Sequence, residues 1–466
     1  MRKYILLSYG TALPLFILGA ALSTVSPAAS CAVFFVLAIS QCVILYLRHR
    51  TIVDLSLLFS LSWLSGIALA VLKLSELQAP WGIRMWLAVG IAFFALRAGR
   101  DLFDLYFKKR SKKHPQEENA WGSGPLLSDT EAKRIFEAIF IVLILALACF
   151  LMEAVRFDFE LPIFSKKPHM YTEFHITGIH YFVVSTILIP LLSVIYLYGR
   201  RPKWYTLVLL FLANLFSLLI PILILSKLQL ILTFILPFML LFRIGGRKTR
   251  RRLLLLVPIL AVVTVVAFAF LVSERHYPKN YLQSIFCFKN PDTPIWFQYV
   301  YMYIVNNFEN LNLLVENLQV YSHGARALFP LFALTGTKFI PAIQEFMTVE
   351  QYLTIPELTT VSFIYDAYGD FGLVGVFVMA FLVGWADSYS NELVWRGRIL
   401  GYLLYAQMAC YMLLSFFTTW FSNPTTWFYF IASFAIALYA TRKDKSLRMS
   451  FRAVFTAEAV QGGTDA

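Results

Sequence analysis

The sequence predicts an all-α polytopic membrane protein, and three observations predict it. Of 466 residues, 59% are hydrophobic and 14% charged, with 43 Phe and a mean hydropathy of +0.68; a soluble domain has no interior large enough to hide that much apolar surface. The apolar residues come in long unbroken runs rather than short alternating segments, which selects helices over an outer-membrane barrel. The basic residues fall between those runs, so topology accounts for the net charge of +13.

Runs of spanning length occupy 4–22, 26–47, 52–75, 82–98, 134–153, 178–199, 204–225, 227–243, 253–273, 359–385, 400–418 and 426–441, about twelve spans. The first starts with a basic pair and lacks a small-residue cleavage site, so it reads as a retained helix. Arg2-Lys3, Arg48-His49-Arg50, the Arg97 to Lys113 block, Arg200-Arg201-Lys203, Arg243 to Arg252, Arg396 with Arg398, and Arg442 to Arg452 hold most of the 40 Lys and Arg. With both termini inside, all of these lie on the cytoplasmic face. "GGRKTRRR" is then a topology anchor, and no nucleic-acid partner is expected.

The chain divides accordingly. Transmembrane helices fill 1–107, and a charged, Gly- and Pro-containing linker follows at 108–133 ("KKRSKKHPQEENAWGSGP"). Central helices run over 134–273, interrupted by an outer loop at 156–177. A long extracytoplasmic segment covers 274–358, C-terminal helices 359–441, and a cytoplasmic tail 442–466. The long segment is aromatic and Asn-rich ("IWFQYVYMYIVNNFENLNLLVENL"), and Leu311, Leu314, Val315 and Leu318 recur at helical spacing. It is expected to form helices lying on or dipping into the bilayer, and to carry function.

The outer face gathers chemistry. Five of the seven His (His169, His175, His180, His276, His323) lie in or beside its two loops. Arg156, Lys166, Lys167, Arg275, Lys279, Lys289, Arg326 and Lys338 run against the positive-inside bias there, and an anionic ligand is the simplest reason. At the start of the next span, "FIYDAYGDFGLVG" places Asp366 and Asp370 four residues apart, on one helical face. Acids so near the membrane must be satisfied, either by a ligand or by cations of neighbouring segments. Gly369, Gly372 and Gly375 recur at every third position, a pattern for close helix packing. The charge sits at the outer rim rather than at mid-membrane. The five Cys show no metal-ligand spacing, and neither a metal nor a cofactor is expected.

"LPIFSKKPHMYTEFHITGIHYF" (161–182), the long outer segment and "TTVSFIYDAYGDFGLVG" (359–375) together resemble the Wzy-type oligosaccharide repeat unit polymerases of O-antigen and capsule assembly. The resemblance spans about 136–440 in the same order. It departs at "LSKLQL", where the family commonly has an Arg and this chain has Lys227, a point charge without the bidentate fork. It implies a GT-C-like membrane glycosyltransferase working at the outer face of the bacterial cytoplasmic membrane. A glycan would pass from its polyprenyl-pyrophosphate carrier to the next lipid-linked repeat unit. A chain-length regulator and a flippase are the implied protein partners, and the bilayer and the lipid-linked oligosaccharide the others.

On that reading the departing pyrophosphate needs cations, for which Arg275, Arg326, Lys227 and Arg156 are the candidates. The attacking hydroxyl needs a base or acceptor, drawn from Asp366, Asp370, Glu357, His323 and His169. Catalysis is assigned to Asp366, Arg275 and Arg326, and substrate binding to the rest. The aromatic stretch around Trp296 offers faces for sugar. Two alternatives share the lipid-linked substrate: an O-antigen ligase, and a flippase, which would show repeated helix groups and a charged central cavity.

Overall fold

In the computed structural model, residues 2–111, 125–165, 167, 170–258, 262 and 279–442 are described; Lys166, His169 and Arg275 lie outside them. Helices α1 (Arg2–Leu22), α2 (Pro27–His49), α3 (Leu55–Ala70) and α4 (Ile83–Ser111) form an N-terminal group. Two of these starts are capped by side chains. Ser26 accepts from the Ala29 N–H with Pro27 at the first helical position, and Asp54 accepts from Leu57 N–H.

The central group is α5 (Asp129–Arg156), the short α6 (Met170–Glu173), α7 (His180–Val184), α8 (Leu188–Leu197), α9 (Trp204–Leu223) and α10 (Lys227–Ile244). Ser128 and Glu131 close a reciprocal capping box on α5. A 3-10 turn at Ser185–Ile187 joins α7 to α8 where the sequence suggests one unbroken span. Residues 247–258 are helical and form α11.

After α12 (Lys279–Phe286), α13 (Ile295–Asn317), α14 (Phe329–Thr335) and α15 (Pro341–Met347), the chain closes with α16 (Tyr365–Trp395), α17 (Ile399–Leu413) and α18 (Pro424–Thr441). Among the described residues, seven helical segments are long and apolar enough to cross a membrane: α1, α2, α5, α7 with α8, α9, α10 and α16; α3 and α17 are shorter apolar helices. The protein is a helical membrane protein.

α4 and α16 meet backbone to backbone. A Cβ on Gly99 would lie 2.1 Å from the Phe381 carbonyl oxygen, and one on Gly384 2.0 Å from that of Leu96. Only glycine permits that approach, the usual way membrane helices gain contact where lipid competes for apolar surface. The spacing of Gly369, Gly372 and Gly375 reads differently in space. Gly369 lies under Arg326, Gly375 under the Ala367 carbonyl of its own helix, and Gly372 (φ +59°) breaks α16 at Phe371-Gly372.

α13 packs into the end of the bundle against α3 and α4, burying Asn306, Asn307, Glu309, Asn310 and Asn312. Asn310 Nδ2 donates to Thr360 O (3.0 Å) and its Oδ1 accepts from Thr354 N–H (2.8 Å), pinning the strap 354–360 that leads into α16. One expectation needs correction: charge is not confined to the outer rim. Arg48, Asp54, Arg100, Asp101 and Asp387 are paired between α2, α3, α4 and α16, with Arg100 holding Asp54 (Nη1–Oδ1 2.9 Å) and Asp387 (3.4 Å), and Arg48 holding Asp101. Arg97 adds a 2.9 Å bond to Ser8 Oγ. Ionic groups persist in such a setting only when paired.

Candidate active site

The site grows from the first turns of α16. Before the Gly372 break, Asp366 and Asp370 share a face, and the turn 322–328 lies against it. Asp370 is fully buried and serves that turn. Its Oδ1 accepts from Ser322 Oγ (2.6 Å) and Arg326 N–H (3.1 Å), its Oδ2 from Ala327 N–H (2.8 Å). His323 takes the left-handed conformation (φ +47°), and its N–H donates to the Asp370 carbonyl at 3.2 Å. Its ring is set edge-on to Phe371 at the exposed side of the turn.

This turn aims the Arg326 side chain along Gly369. Nε donates to Ser322 Oγ (3.2 Å), Nη2 donates to the Glu350 carbonyl, and Nη1 stands 3.9 Å from Asp366 Oδ1. The guanidinium also lies over Tyr365, 5.6 Å from the ring centroid. Arg326 is therefore held by a complete fork, with its third nitrogen turned to Asp366. The Asp366 side chain keeps 17% exposure, against 4% for Arg326, and faces the Thr419 and Ser422 hydroxyls of the loop between α17 and α18. That geometry fits an acceptor oriented toward an incoming hydroxyl.

A second cation stands at the other end of the same loop. Lys227 opens α10, buried, with Nζ 5.6 Å from the Tyr303 ring centroid and 5.9 Å from that of Tyr299. Tyr303 stacks on Phe417, which is two residues from Thr419. The loop 414–423 thus links the Lys227 cage to Asp366. The first outer loop joins this corner: Ile163 N–H donates to Leu223 O (3.2 Å), and its side chain packs on Leu225 and Leu230.

The remaining candidates lie around this core. Arg156 ends α5, exposed, 5.9 Å over the Phe157 ring. Glu357 accepts the Tyr281 hydroxyl, and that bond holds the phenol above its ordinary pKa. Sequence reasoning missed Glu153. It is fully buried in α5 and accepts from Ile176 N–H (3.0 Å), and His180 Nδ1 lies 3.0 Å from the same oxygen. A lone acid at the end of an apolar run was the available signal. Ser322, Tyr365 and Thr419 carry no signal of their own; only the fold brings them in. Among the described residues no group of three His, Cys, Asp or Glu is placed to hold a metal ion.

Comparison with protein-family models, curated proteins and solved structures finds no match to this chain.

Proposed function

We propose that the protein is an oligosaccharide repeat unit polymerase. It would transfer a glycan from polyprenyl pyrophosphate to the next lipid-linked unit at the outer face of a bacterial cytoplasmic membrane. The observation that carries the reading is the pairing of Arg326 with the partly exposed Asp366 beside a separate caged cation, Lys227. Asp366 orients the acceptor hydroxyl and takes its proton, and Arg326 fixes that carboxylate. Lys227, with Arg275 and Arg156, faces the charge that develops on the departing pyrophosphate. His169, His323 and Glu357 contact the glycan, and Asp370 holds the turn that carries Arg326. The aromatic faces of Tyr299, Tyr303 and Phe417 suit sugar rings.

The topology that goes with this reading has twelve spans in a GT-C-like arrangement. α3, α4, α17, α18 and the segment beginning with α11 supplement the seven long apolar segments. A chain-length regulator and a flippase are its partners. A second reading has one observation in its favour: the ionic network of Arg48, Arg100 and Asp387 inside the helices suits a transporter of the same lipid-linked unit.

Deletion of the gene in its own host, with surface glycan resolved on a gel, separates these readings. Collapse of the ladder to a single repeat unit supports the polymerase. Undelivered long lipid-linked polymer supports an O-antigen ligase, and lipid-linked single units retained inside support the transporter.

A further inference from the structure

At the opposite end of the bundle from Asp366, a cavity of about 220 Å³ opens where α2, α10 and α16 end and α3 begins. It is the end carrying Arg200 and Arg396, which the positive-inside rule assigns to the cytoplasm. Arg50, Arg243 and Arg250 line it, with Asp54 as its acid, and that carboxylate is already held by Arg100. Two of the arginines are fixed in place. Arg243 Nη2 donates to Asn391 Oδ1 (3.1 Å), and its guanidinium lies 4.9 Å over Trp395 and 5.6 Å over Tyr405. Arg250 Nε donates to Phe242 O (3.0 Å) and Nη2 to Arg243 O (3.0 Å). Arg50 caps α2 in the left-handed conformation (φ +57°).

The lining thus carries three arginines against one carboxylate that is already paired. We propose that this cavity binds a phosphate group, which meets the arginines through charge-assisted hydrogen bonds. Trp395 is 54% exposed at its edge, as residues at the headgroup level are, so the favoured source is an anionic phospholipid of the inner leaflet rather than free phosphate.

The test uses the full chain purified in a neutral detergent. Melting temperature and native mass spectrometry are followed with phosphatidylglycerol, phosphatidylcholine or inorganic phosphate. Retention of, and stabilisation by, phosphatidylglycerol alone supports the site with a lipid occupant. An equal effect of inorganic phosphate supports the site with a free one. An Arg50→Gln/Arg250→Gln double variant should bind about thirtyfold more weakly, the loss of roughly two surface cations. Arg250→Gln alone, which removes one lining charge, should weaken binding as well and stands in if the double variant does not fold. No selectivity over phosphatidylcholine combined with no phosphate effect, or undiminished binding in the variants, overturns the proposal.

Discussion

The guanidinium of Arg326 lies directly across Gly369, so closely that a Cβ there would stand 2.5 Å from Nε. Carbon and nitrogen cannot share that distance, so Gly369→Ala must shift the Arg326 side chain relative to Asp366 while removing no titratable group. Misplacement by about 1 Å at a reacting centre costs on the order of a hundredfold in rate. Polymer synthesis in membranes carrying Gly369→Ala should fall by that order with normal protein levels. Unchanged synthesis would take Arg326 out of the chemistry.

The two neighbouring aspartates should separate by phenotype. Asp370→Asn replaces an acceptor of three bonds with a group that turns a donor toward N–H groups, and should cost about 2 kcal/mol of stability. Asp366→Asn should melt near the parent temperature and lose the polymerised ladder. Thermal melts and glycan gels on the same preparations check both.

Arg326→Lys keeps the charge but cannot reproduce the three-sided fork to Ser322, Glu350 O and Asp366. It should therefore resemble Arg326→Ala in product formation rather than rescue it. Lys227→Arg, by contrast, should remain active, because two tyrosine faces hold a guanidinium as well as an ammonium.

Lys73 and Glu309 form a buried ion pair that staples α13 to the end of α3 (Nζ–Oε1 2.5 Å), with Trp81 Nε1 donating to the same oxygen (3.2 Å). Burial raises the Glu309 pKa, and Lys73 opposes that rise. Lys73→Met removes the opposition, so the folded-state pKa climbs further above its unfolded value. A raised carboxyl pKa contributes stability at low pH that is lost as pH rises through it. The variant should therefore melt at a higher temperature at about pH 5 than at about pH 8, and the difference should exceed that of the parent protein.

Most of the helices were legible because apolar runs are local signals; the caps at Ser26, Asp54 and Ser128 were found only in the structure. The polar interior was not legible. Arg97 and Arg100 read as part of a cytoplasmic block, because nothing in their neighbourhood announces that Ser8 and Asp54 complete them from other helices. The site was half legible. Arg326 stood out as a cation on the wrong side and Asp366 as an acid at a span. That Asp370 would be consumed by backbone N–H groups depends on a turn some forty residues away. The glycines misled for a related reason: spacing records their period but not whether a side chain, a carbonyl or a break fills the space.

The break at Gly372 also defines a seam for engineering. Residues before it in α16 answer to the turn at 322–328 and to the loop 414–423, whereas residues after it answer to α4 through Gly384 and Leu96. A chimera that exchanges 318–371 together with 414–423 between related chains would transplant the outer machinery as a unit. The close α4–α16 joint through Gly99 and Gly384 would be left as it was.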